Sequence, residues 1–306
     1  MYKKYDIALI GSSGFIAEAL IQQFYGKKTI LHIGRNKPSQ CDPTDFITYD
    51  LNTDVQLTNK FQIDTVIFNA AIKGRFADNS EAWTNQGKVT APNFRDLFAR
   101  LNLDVSRLIT MGSSEEYGAR DNDTPIREDD PLTPLSSYGS WKVRLHAENL
   151  KWSRQFNKPA IHLRPFNIFG TGLDKNMFLG SLITTLLQNK SFPMTLGEQH
   201  RSFVPVNIVN ETIHKLLTLE SWDAYQRNGA LNVSSHHYYR IIDVAHIICN
   251  LVKSGQLEVG KLAYRQEEVW HQNPDLTLID KLLGQDINYD FTNEMTYLIQ
   301  RLRSDF

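Results

Sequence analysis

The stretch Ile7-Ala8-Leu9-Ile10-Gly11-Ser12-Ser13-Gly14-Phe15-Ile16-Ala17 decides the fold. Four apolar residues run into a glycine, and from Phe15 to Phe24 the apolar positions recur at helical spacing. A buried strand that turns through glycines straight into a helix carries backbone N–H groups to the helix N-terminus, where they can meet a pyrophosphate. Gly11 and Gly14 permit the tight turn and the close approach, Ser13, Phe15 and Ile16 lie along it, and Ala17 is small enough for the helix to sit on the strand. An ordinary turn can hold the same glycines. Placement between the first strand and the first helix is what favours a dinucleotide site.

Outward from that turn, Thr29–Ile33, Ile47–Tyr49, Thr65–Asn69 and Arg107–Met111 read as further short strands, and Ala91–Leu101 as a helix. Such alternation predicts an α/β fold, a Rossmann-type doubly wound parallel sheet with ligands at the strand carboxyl ends. From Met177 onward, helical stretches such as Phe178–Gln188 interleave with short segments and predict a smaller C-terminal α/β substrate-binding lobe. The expected division is residues 1–170 for the cofactor domain and mainly 171–306 for the lobe, with a return segment near 201–235. Asp121–Pro134 and Gly170–Asp174 are the loops between.

Length and charge narrow the class. The 306 residues suffice for about two domains or one large α/β unit, and a formal net charge of −1 leaves no basic excess for nucleic acid or a membrane surface. Cys41 and Cys249 are far apart and lack metal-ligand spacing, so neither a disulfide framework nor a zinc site is expected. No apolar run approaches the roughly 18 residues of a membrane span. The first residues lead directly into a strand without a signal-peptide pattern, and a cytoplasmic protein is expected.

At the end of the second strand stands Gly34-Arg35-Asn36-Lys37. An acidic residue there would hold the ribose hydroxyls of NAD, whereas a cation suits the 2′-phosphate of NADP. Arg35 therefore points to NADP in preference to NAD, the alternative being a solvated basic turn. Asp50-Leu51 follows the next strand and can meet the adenine, and Asn69-Ala70-Ala71 supplies small residues where the chain passes the cofactor.

The chemistry is written in two segments. Gly112-Ser113-Ser114-Glu115-Glu116-Tyr117-Gly118 follows a strand, and Tyr138-Gly139-Ser140-Trp141-Lys142 opens a helix on which Tyr138 and Lys142, four apart, share a face. A free tyrosine, with a pKa of ~10, is a poor base at neutral pH. An adjacent ammonium and an oxidised nicotinamide favour its phenolate. A serine at the strand end can bond the same substrate oxygen.

With these segments in place, the chain resembles the extended short-chain dehydrogenase/reductase family, the nucleotide-sugar epimerases, dehydratases and reductases. The resemblance runs through Gly11–Ala17, Asp50-Leu51, Asn69–Ala71, Ser113–Gly118, Pro125–Asp129, Tyr138–Lys142, Arg164–Gly170 and Arg201–Val206. It implies that Ser113, Tyr138 and Lys142 are catalytic, with Tyr138 and Lys142 also touching the cofactor. It implies that Ser114, Glu115 and Asn167 meet a nucleotide-sugar substrate and that Arg201 faces its phosphates or nucleoside. A homodimer is implied as well. Two departures stand out: Trp141 where the family usually has Ser, and His271-Gln272-Asn273-Pro274-Asp275 where many members place a phosphate-gripping Arg-Pro segment.

Three reactions share this apparatus. A 4,6-dehydratase needs an acid or base two residues before the YG tyrosine, and Glu115 occupies that slot. A 4-epimerase needs none, and a 4-reductase only delivers hydride from NADPH to a 4-keto sugar. Arg35, a chain short for a dehydratase of this family, and the look of Gly112–Gly118 with Pro125–Asp129 after it, closest to reductases of GDP-4-keto-6-deoxy sugars, favour reduction. A regulatory protein that binds NADP(H) without chemistry predicts a broken Ser–Tyr–Lys set, and the set is intact.

Overall fold

A computed structural model describes residues 3–50, 56–70, 91–120 and 122–304. Seven strands form one parallel sheet: β1 (Lys3–Ile10), β2 (Ile30–Gly34), β3 (Phe46–Thr48), β4 (Phe61–Phe68), β5 (Leu103–Met111), β6 (Ala160–Pro165) and β10 (Ala230–Val233). Their spatial order is β10-β6-β5-β4-β1-β2-β3. The order reverses between β1 and β4, which opens a crevice at the carboxyl ends of those two strands.

Period-two alternation assigns each strand residue to a face. Ile7 and Leu9 join one core with Ile109 and Leu163, under α1 (Phe15–Phe24) and α5 (Val206–Thr218). Ala8 and Ile10 join the other with Val66 and Phe68, under α2 (Phe94–Arg100) and α3 (Ser137–Phe156). With both faces covered, the strands are almost continuously buried, as a parallel sheet requires.

The second body is built on β9 (His200–Pro205). β11 (Tyr238–Arg240) runs antiparallel along it, and β7 (Asn167–Phe169) and β13 (His271–Gln272) pair with it in parallel. β8 (Ser191–Met194) and β12 (Gln256–Val259) form a separate parallel pair. α4 (Phe178–Leu187), α6 (Ile241–Val252) and α8 (Phe291–Arg303) close this core through Leu182, Val244 and Met295.

Only Phe166 separates β6 in the large sheet from β7 in the small one, so Arg164–Phe169 is a corner joining the two bodies. The chain returns twice. α5 and β10 rejoin the large sheet, and so does α7 (Thr277–Leu283), whose Leu278, Ile279 and Leu282 pack in the first core. That second return lies inside the stretch expected to serve mainly the lobe.

Candidate active site

The glycine turn sits at the crevice between β1 and β4. Gly11 donates its N–H to the Ile33 carbonyl at 2.8 Å, and Asn69 donates its own to Ile10 at 2.8 Å. The Asn69 amide then reaches the Gly11 carbonyl at 3.3 Å. Gly11 has φ +86°, and a Cβ there would stand 2.5 Å from the Ala70 nitrogen, so only glycine fits. Gly14 is the N-cap of α1, without a side-chain cap, and the first helical bond runs from Glu18 N to Gly14 O at 2.8 Å. The N–H groups of Phe15, Ile16 and Ala17 precede that bond at the positive end of the helix, a fit for a pyrophosphate.

Arg35, exposed, and Asp50, half-buried, follow the adjacent strands β2 and β3, whose ends are tied by Tyr49 N to Gly34 O at 3.0 Å. The expected cofactor contacts Leu51 and Ala71 lie outside the described residues. Ser13 is exposed on the turn.

The corner that holds the expected catalytic residues forms where β5 ends. Ser113 caps a short 3-10 turn: its hydroxyl accepts from Glu115 N at 3.2 Å, and Glu116 reaches back to Ser113 N at 2.9 Å. With a lone pair used by Glu115 N–H, the Ser113 proton is free to be donated elsewhere. α3 opens against this turn. Its N-cap Ser136 accepts from Gly139 N at 2.9 Å and donates to the Glu115 carboxylate at 2.7 Å. A Cβ on Gly139 would lie 2.6 Å from the Glu115 carbonyl, so glycine after Tyr138 lets helix and turn touch.

Lys142 lies one turn below Tyr138, buried, with Nζ donating to the Met111 carbonyl at 2.5 Å and 5.4 Å from the centre of the Tyr138 ring. Burial pushes its ammonium down to about 8, and Glu116 opposes that shift. Trp141 precedes Lys142 on the helix. It is 2 % exposed and belongs to the core under α3, with its ring 5.2 Å from Lys142 Nζ. The departure from Ser at that position is thus a packing choice.

A cleft of about 460 Å³ adjoins this corner, and Glu115 and Ser136 line it beside Asn167 and Arg201. Asn167 donates its amide to Ser202 O at 2.8 Å and Gln272 Oε1 at 3.2 Å, which fixes it between β7, β9 and β13. Arg201 is paired with Glu268 at 2.9 Å. Ser114 is buried in the turn and does not line the cleft. His271–Gln272 is consumed as β13, and a cation the sequence reading missed, Arg265, lines the cleft from the loop after β12. Apolar Ile168, Met177, Phe178 and Phe192 complete much of the wall. In the sequence Ile168 falls within Arg164–Gly170 and Met177 and Phe178 begin an expected helical stretch, whereas nothing singles out Phe192.

The described residues contain no helix long and apolar enough to cross a membrane. Solved structures share the whole architecture. A UDP-N-acetylglucosamine 4-epimerase from Methanobrevibacter ruminantium M1, in complex with UDP-N-acetylmuramic acid, superposes with a TM-score of 0.81 over 99% of this chain and 100% of its own, at 20% identity. A dTDP-glucose 4,6-dehydratase from Streptomyces venezuelae with NAD bound gives 0.81 over 98% and 97%, at 16% identity. Among curated proteins, a dTDP-6-deoxy-L-talose 4-dehydrogenase (NAD(P)(+)) from Kitasatospora kifunensis is 26% identical over 186 residues, 59% of this chain and 58% of the relative. The match therefore spans little more than half of that relative's length. The model of the NAD dependent epimerase/dehydratase family matches residues 7–233, from the first strand through the Ser113 turn and α3 to β10. The chain belongs to this family, as an NAD(P)-dependent enzyme of the extended short-chain dehydrogenase/reductase type.

Proposed function

We propose that the protein reduces the C4 keto group of a nucleotide-linked 4-keto-6-deoxy sugar, with NADPH as the preferred reductant. The observation that carries this reading is the Ser136–Glu115 bond of 2.7 Å. It ties the one carboxylate in the elimination slot to the N-cap of α3, a positioning duty that reduction tolerates. The curated relative, which is named for chemistry at C4 of a 6-deoxy sugar, supports the same choice. Ile168, Met177 and Phe178 beside Glu115 and Asn167 offer an apolar wall suited to a C6 methyl group.

Reduced nicotinamide supplies the hydride. The chain's own residues do the rest. Ser113 donates a hydrogen bond to the C4 oxygen and polarises it. Tyr138 gives that oxygen its proton as the hydride arrives at carbon, which closes the balance from ketone to secondary alcohol. Lys142 steadies the tyrosine with its charge and holds the corner through Met111. Arg201 and Arg265 receive the diphosphate, and Arg35 the cofactor's 2′-phosphate. The protein acts in this reading as a cytoplasmic homodimer.

A 4,6-dehydratase is the second reading, because Glu115 also lines the cleft. Incubation with a panel of 4-keto nucleotide sugars and either NADPH or NADH, followed by reduced-cofactor absorbance, separates the cases. Consumption of one NADPH per keto sugar supports reduction, and no consumption with any panel member defeats it.

A further inference from the structure

Next to Ser113, and outside the lining of the cleft, lies a fully buried ion cluster that the proposed reduction does not use. Glu116 accepts from Ser113 N at 2.9 Å, from His162 Nε2 at 2.9 Å and from Arg164 Nε at 2.7 Å. Arg164 extends the cluster to the Tyr117 hydroxyl and the Glu128 carbonyl, both at 2.9 Å, and to His146 Nδ1 at 3.1 Å. His162 Nδ1 meets Thr110 Oγ1 at 2.7 Å. A carboxylate only accepts, so His162 carries its proton on Nε2 and takes one from Thr110 on Nδ1. Burial lowers the His162 pKa and favours this neutral form. The hydrogen bond from His162, the charge of Arg164 and the Ser113 N–H together keep Glu116 ionised, well below the usual carboxylate range despite its burial.

Such clusters are a poor route to stability, because desolvation offsets most of the attraction and apolar replacements often do as well. Position supplies a better reason. Glu116 holds the Ser113 N–H while Lys142 holds the Met111 carbonyl, so two buried charges of opposite sign grip Met111-Gly112-Ser113. Gly112, between them, has no room for a Cβ, which would run into His162 and the Glu116 carboxylate.

We propose that Glu116 is a positioning residue, which through its buried pairing with Arg164 and His162 sets the Ser113 turn and the electrostatic field at Lys142. The proposal rests on the roles given above to Ser113, Tyr138 and Lys142. Among the described residues, the groups facing Lys142 are the Tyr138 and Trp141 rings on its own helix, the Met111 carbonyl on β5, Glu116 on the turn and His162 on β6. Glu116 is the anion among them, and removing it leaves the ammonium less stabilised.

The test compares wild type, Glu116→Gln and the paired neutralisation Glu116→Gln/Arg164→Gln, with folding checked by circular dichroism. In Glu116→Gln, kcat for 4-keto reduction falls at least about tenfold while both KM values change little. The alkaline limb of the pH profile moves to lower pH by about half a unit or more, since Lys142 loses its proton earlier. The same limb is read in NADPH affinity, which needs no sugar turnover. In the double variant, Arg164 no longer stands as an uncompensated cation and the limb returns toward wild type.

Folded variants with an unmoved limb in both readouts overturn the proposal, even where kcat falls, because the cluster is then only structural. Failure of both variants to fold overturns it for the same reason. Tyr138→Phe, run alongside, separates the two levels. Wild-type turnover in that variant overturns the reading of the site, whereas an inactive Tyr138→Phe beside unmoved Glu116 limbs overturns only the role of Glu116.

Discussion

Ser136 donates a 2.7 Å hydrogen bond to Glu115 while its oxygen caps Gly139 N at 2.9 Å, so one hydroxyl joins the strand-end turn to the helix that carries Tyr138 and Lys142. The helix register is thereby fixed against Ser113. An N-cap of this kind is worth about 1 kcal/mol, and its bond to a carboxylate adds charge assistance.

Tyr138→Phe removes the proposed proton donor and leaves a ring that still packs beside Lys142. Turnover should fall by ~10²–10⁴-fold, the usual contribution of a general acid or base. NADPH affinity, measured by fluorescence titration, should stay near the wild-type value. Retained turnover would show that another group protonates the substrate oxygen.

Arg35→Asp replaces the proposed 2′-phosphate partner at the end of β2 with a repelling carboxylate. Weakening should be roughly tenfold or more for NADPH and small for NADH, as expected for loss of a charge-assisted contact. Calorimetric titration with each cofactor reads the difference. Equal changes would mean that Arg35 does not meet the 2′-phosphate.

Burial brings the Lys142 ammonium down to about 8. The proposed mechanism needs the charged form, present below that value and lost above it, so activity should decline as pH rises through about 8. A profile of kcat/KM against pH tests this. A flat profile well beyond that region would contradict the assigned role of the lysine.

Gly11→Ala places a Cβ 2.5 Å from the Ala70 nitrogen at a φ of +86°. Both the left-handed strain and the clash with backbone oppose folding, at a combined cost on the order of 2–4 kcal/mol. Thermal melting should record the loss. An unchanged melting temperature would mean that the crevice between β1 and β4 is wider than the structure gives.

The glycine turn and the Tyr138–Lys142 helix were legible because backbone geometry and chemistry restrict those positions to a few residue types. Arg164 and Glu116 were not. They are 48 residues apart, and their pairing exists only once β6 lies beside β5. Arg265 was hidden in the sequence for a related reason. His271–Asp275 stands where a phosphate-gripping Arg-Pro segment is usual; pairing with β9 commits His271–Gln272 to a sheet, and the loop before it brings Arg265 to the cleft. Glu115 was legible as a residue and ambiguous as a role, because its bond to Ser136 depends on how α3 docks.

Mass spectrometry of the sugar product tests the central claim most directly. Wild-type protein supplied with a 4-keto-6-deoxy nucleotide sugar and NADPH should return a product heavier by two hydrogens. Glu115→Gln should lower that rate by less than the ~10²-fold expected of a true general acid or base. An intact nucleotide hexose, given without reduced cofactor, should come back unchanged. Loss of one water from that hexose, abolished in Glu115→Gln, would contradict the account and make the protein a dehydratase.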